Sequence, residues 1–154
     1  MDTPAETTNR PRPVVRIFAV CTDADLATPE SGDLASGWWE LKNFLHTVWM
    51  PPGVVKGFGV EELFVYAQLT DGVGAVSLGI TVEEINLTNS NRNRLVGRSN
   101  PEVMTFNDTW EVVEVTFKLV RVPFPRPGQY HFRLMENGQQ LEGGSAFLRV
   151  LPGD

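Results

Sequence analysis

The chain has 154 residues, 42% hydrophobic and 21% charged, with a formal net charge of −6. That length suits one domain with an ordinary core, and the acidic balance argues against nucleic acid or an anionic membrane surface as a whole-domain partner. Cys21 is the single cysteine, so no internal disulfide forms, and no Cys/His spacing of the metal-binding kind occurs.

Residues 1–12 are polar, with no apolar stretch of the signal-peptide or membrane-spanning kind. They read as a disordered tail to a single domain over 13–154, in a cytoplasmic protein. Val14 to Cys21 is a near-continuous apolar run, expected as a central strand covered on both faces except near Arg16. Thr22 to Ser36 reads as a polar connection. Its Asp23, Asp25, Glu30 and Asp33 offer oxygen ligands, but their spacing fits no calcium loop and reads as solvated turn chemistry.

Gly37 to Met50 carries three tryptophans and stops at Pro51-Pro52, which favours one strand over a helix, with a bulge near Asn43. Glu61 to Glu84 reads as a hairpin around Asp71-Gly72, pairing Ala67 with Val76, Val65 with Leu78 and Leu63 with Ile80. Phe64 and Tyr66 then fall on the outer face. Residues 86–108 form a long polar connection whose middle, Arg94 to Arg98, suits a brief edge strand.

From Glu111 to Val122 the alternation is strict: Val113, Val115, Phe117 and Leu119 on one parity, Glu114, Thr116 and Lys118 on the other. Pro127-Gly128 turns the chain into a strand with Tyr130, Phe132 and Leu134 inward. Asn137-Gly138 is a strong type I′ hairpin signal. Counting outward sets Leu134 against Leu141. Arg149 marks the opposite parity for Ala146, Leu148 and Val150, so one extra residue is expected at Gly143-Gly144. Seven or eight strands without a helix make an antiparallel β-sandwich, with a partly closed barrel as the alternative.

Nothing in the sequence assembles a catalytic site. His46 and His131 lie in no nucleophile motif, and the pairs Glu61-Glu62 and Glu83-Glu84 point to opposite faces as strand neighbours. The expectation is a non-enzyme without cofactor or metal. Two sets suit binding. Arg92, Arg94 and Arg98, interleaved with asparagines, could hold phosphate or base edges. Trp38, Phe44, Phe64 and Tyr66 would form an aromatic patch on an outer sheet face, the mark of a protein interface or of self-association. Exposed tryptophans would alternatively stack on a carbohydrate or another small ligand.

IFAVCTDAD at the start, ELKNFLHTVW after a polar loop, and PGQYHFRLMENGQQL with AFLRV at the end resemble an uncharacterised family of small bacterial single-domain proteins. The resemblance implies a bacterial, cytoplasmic β-sandwich of unknown function and brings no catalytic residues.

Overall fold

Side chains that alternate along a strand need a second layer to cover the apolar parity, and this chain supplies it from its own second sheet. The computed structural model describes residues 11–27, 38–53, 58–89 and 92–153, without the side chains of 25–27 and 38–40. Its ten strands are β1 (Val14–Ala27), β2 (Trp38–Phe44), β3 (Thr47–Trp49), β4 (Phe58–Thr70), β5 (Gly74–Glu84), β6 (Arg94–Arg98), β7 (Glu102–Phe106), β8 (Val113–Phe124), β9 (Gly128–Glu136) and β10 (Gln139–Leu151). One sheet runs β2-β1-β4-β8; the other runs β3-β10-β9-β5-β6, with β7 also on β5. All ladders are antiparallel except β3 on β10. The protein is an all-β sandwich, and the sheets do not close into a barrel.

The strand count exceeds the expected seven or eight for two reasons. The Gly37–Met50 run divides: Asn43 adopts φ 57°, Leu45 N–H still donates to Val20 O in the first sheet, and His46 O already accepts Arg149 N–H in the second. One continuous strand was expected; two short ones bridge the layers. The long polar connection also contributes both β6, at the anticipated Arg94–Arg98, and β7. These share one edge of β5, β6 along Thr81–Glu84 and β7 along Gly74–Leu78.

The largest correction concerns Glu61–Glu84. β4 and β5 are not a hairpin. β4 pairs with β1 and β8, whereas β5 lies in the other sheet beside β9. A type I′ turn needs positive φ at both central residues. Asp71 has φ 64°, but the next left-handed residue is Gly74 at 71°. Gly72 between them is buried so close to Phe106 that a Cβ would overlap the ring. The chain therefore steps across the sandwich instead of folding back. Leu63, Val65 and Ala67 line the core from one layer, and Val76, Leu78 and Ile80 line it from the other.

One smaller expectation also changes. β1 continues through Thr22–Ala27, where a polar connection was expected, because Asp23–Ala27 pairs with β2. Beside Arg16, Ile17 is 47% exposed.

At the C-terminal hairpin, Asn137 and Gly138 take φ 47° and 79°, as a type I′ turn demands. Its register holds from Glu136–Gln139 to Met135–Gln140. β10 then advances from Gln140 to Ser145 while β9 advances only from Met135 to Arg133. The interruption is thus larger than the single residue expected, but it restores the anticipated parity: Leu148 and Val150 are buried, and Leu141 stays in the core. Gly143 sits inside it with φ 78°, its α-carbon so near Val15 O that a Cβ would collide. Arg12 then ties the chain's entry to this hairpin, donating from Nη1 to Gln139 Oε1 (2.7 Å) and from Nε to Glu136 Oε2 (3.2 Å). Gly143→Ala combines left-handed strain with that collision. It is expected to cost about 2–4 kcal/mol of stability in urea unfolding, against less than about 0.5 kcal/mol for a control at exposed Glu142.

Candidate functional site

The first sheet has one face on the core and one turned away from it. Register sets the rows of that outer face. Phe44, Cys21, Phe64 and Lys118 stand side by side across β2, β1, β4 and β8. The next row is Ala19, Tyr66 and Thr116; the one after is Ile17, Gln68 and Glu114. Beyond Lys118, Val120 stands opposite Glu62. Phe44 is 60% exposed and Val120 59%. An outer sheet face left to water would ordinarily carry polar residues at these positions.

The expected aromatic patch is only partly assembled here. Phe44 is open to solvent and Phe64 half-buried, while Tyr66 faces outward yet is only 6% exposed. Burial, then the charge of Glu114 and a hydrogen bond to it, push the Tyr66 phenol up to about 12, with Gln68 opposing. Tyr66 is thus a neutral donor fixed to its neighbours and braces the face. Trp38 is in register with Ala27 at the far end of β2, and its side chain lies outside the described residues. Cys21 is fully buried between Phe44 and Phe64, and burial pushes its thiol up, which keeps it protonated and unreactive.

The three arginines of the long connection do different things. Arg94 is a counter-ion: its Nη2 lies 3.2 Å from Glu84 Oε2, and Arg126 takes the other oxygen of the same carboxylate. Glu84, 8% exposed, owes its tolerance of burial to those two guanidinium groups. Arg98 sits on the edge strand opposite Thr81, and Arg92 only closes a turn, N–H to Asn89 O. Two asparagines of this connection are equally structural. Asn86 Oδ1 accepts from the Thr88 and Asn89 amides, and Asn93 Oδ1 accepts from the Asn86 amide.

Two tryptophans stand out in solvent. Trp110, 90% exposed, sits on a turn held by Asp108 Oδ1 accepting its amide and by Glu111 Oε2 accepting the Asn107 amide. Trp49, 64% exposed, ends β3. The Asn107-Asp108 pair ahead of Trp110 is the sequence signal for such a turn, and it passed unread inside the long connection. Shallow clefts lie elsewhere; one of about 410 Å³ runs between Leu87, Pro127, Arg149 and Leu151.

The outer face of the second sheet is more polar. His131 stacks on Phe147 with ring centroids 4.3 Å apart, and its Nε2 is buried with no hydrogen-bond partner among the described residues. Beside it, Arg133 bridges Glu83 (3.3 Å) and Gln140 (2.9 Å). Among the described residues no group of three or more His, Cys, Asp or Glu side chains could hold a metal ion. No described helix is long and apolar enough to cross a membrane. No family model matches the chain, and no curated protein matches it either.

Burial, helped by the charge of Arg133 and opposed by Glu83, lowers the His131 pKa from its ordinary 6.5. Between the folded value and 6.5 the unfolded chain therefore binds more protons, so this contribution is present above 6.5 and lost as pH falls through the folded value. Urea midpoints across that window should fall with acidity, and His131→Gln should flatten the slope.

Proposed function

We propose that the protein is a non-enzymatic binding module that docks a protein partner on the outer face of its four-stranded sheet. The observation that supports this is the exposure of Phe44, Ile17 and Val120 on a face already floored by half-buried Phe64 and neutral, hydrogen-bonded Tyr66. A rigid floor with apolar groups standing on it is the composition of an interface centre, where a few large side chains carry most of the energy. Charges border it: Glu62 pairs with Lys118, and Glu114 with Tyr66. They suit the polar rim that surrounds such a centre.

The experiment compares proteins retained by the wild-type domain with those retained by Phe44→Asp and by Arg149→Ala, which lies on the other sheet. A partner kept by wild type and Arg149→Ala should be lost from Phe44→Asp, by tenfold or more in affinity for an anchor aromatic. Identical retention by all three would remove the face from consideration. A second reading, a carbohydrate-binding or small-ligand sandwich, draws on exposed Trp49 and Trp110. It expects tryptophan fluorescence changes across a glycan panel that Trp49→Ala or Trp110→Ala abolishes.

A further inference from the structure

β8 ends the four-stranded sheet. It pairs with β4 along one side, and no strand among the described residues pairs with the other. At 12 residues it is the longest terminal strand of either sheet; β2 has 7, β3 has 3, and β6 and β7 have 5 each. Long free edges are templates for another strand, and proteins commonly blunt them with bulges, prolines or charges. Here the bulge and the proline are confined to one end. Arg121 takes φ 54° and Pro123 lacks an N–H, which leaves the run up to Val120 regular.

That run is self-complementary. In an antiparallel pair of identical strands related by a two-fold axis, residue i faces the residue equally far beyond the centre. A centre at Thr116 sets Glu114 of each copy against Lys118 of the other, twice over. It sets Val112, the residue just ahead of β8, against Val120, both more than half exposed, and Thr116 against itself. Each outward-facing position meets its chemical complement. A centre one residue along, at Phe117, would instead oppose Glu114 to Val120 and Lys118 to Thr116, so neither charge would face an opposite charge across the axis. The pattern singles out one register, as cross-strand pairs of opposite charge and of apolar side chains do in natural sheets.

We propose that two copies of this chain associate edge to edge through β8, in the register centred on Thr116, to make a continuous eight-stranded sheet across the two-fold axis. This does not depend on the docking role of the outer face, since the ladder forms at the sheet's rim. Nor does it require any of the aromatic residues.

Two single charge reversals test it. Glu114→Lys leaves only lysines at these two positions, and Lys118→Glu leaves only glutamates. Each variant alone faces like charge across the axis at both pairs and should self-associate about tenfold or more weakly than wild type. Mixed in equal amounts, they restore both pairs and should form a mixed dimer. Light scattering behind a sizing column, over roughly a hundredfold range of concentration, reads all of these states. Far-ultraviolet circular dichroism establishes that each variant is folded. The double exchange, E114K with K118E, serves if a single variant fails to fold, and it should dimerise as the wild type does. A wild type that stays monomeric throughout the range overturns the proposal. So does a dimer that neither reversal weakens, or one that the mixture and the double exchange both fail to restore. Dissociation by Phe44→Asp with both reversals silent would place self-association on the sheet face and likewise overturn the edge.

Discussion

The fold depends on the chain changing layers between Thr70 and Gly74. β4 is an interior strand of one sheet, flanked by β1 and β8, and β5 is an interior strand of the other, flanked by β9 and by β6 with β7. A tight hairpin at Asp71 would have put both strands in one sheet and left the apolar stripe of each without a lid. Gly72 does not take the second left-handed φ that such a turn requires; it lies instead so close to Phe106 that only a glycine fits there. Arg16 steadies the same corner, donating to Thr70 Oγ1 and Asp71 Oδ2. The Thr70 hydroxyl, and then the Arg16 guanidinium, hold the Asp71 carboxyl below its ordinary value.

This explains why the sequence is informative about faces and silent about neighbours. Inward parity is the same for a hairpin and for a step across the sandwich: Leu63, Val65 and Ala67 bury themselves in either case, and so do Val76, Leu78 and Ile80. Period-two patterning therefore identifies the core correctly while the pairing goes wrong. The C-terminal hairpin is legible in both respects because Asn137-Gly138 specifies the turn chemistry, not just its existence. Its interruption is placed correctly by the parity change at Arg149, but the number of intervening residues depends on Val15 passing beneath Gly143. No local pattern encodes a contact between positions that distant.

The candidate site shows the same division. Sequence places Phe64 and Tyr66 on an outer face, and that much follows from alternation. Exposure is another matter, because it is set by neighbouring strands. Tyr66 lies between Ala19 and Thr116, two small side chains, and bonds to Glu114, so it settles into the sheet. Phe44 stands on the terminal strand, with no strand beyond it among the described residues, and is 60% exposed. Arg94 reads as a free cation until Glu84, ten residues earlier and buried, is seen to need a counter-ion.

Val120 connects the two surfaces. It lies on the outer face and also on the outermost strand, so it belongs both to the apolar ground of the face and to the edge. Edge pairing would cover it with the partner's Val112, leaving the exposed apolar area of each copy at the Phe44 and Ile17 side. The two faces would then stand on one sheet, pointing the same way about the two-fold axis. A partner able to reach both would gain from effective concentration without any new contact within either face. The opposite order also has a physical meaning. A ligand that takes Val120 into its own footprint competes with the edge, and linkage then requires that dimerisation weaken its binding by the same factor that its binding weakens the dimer.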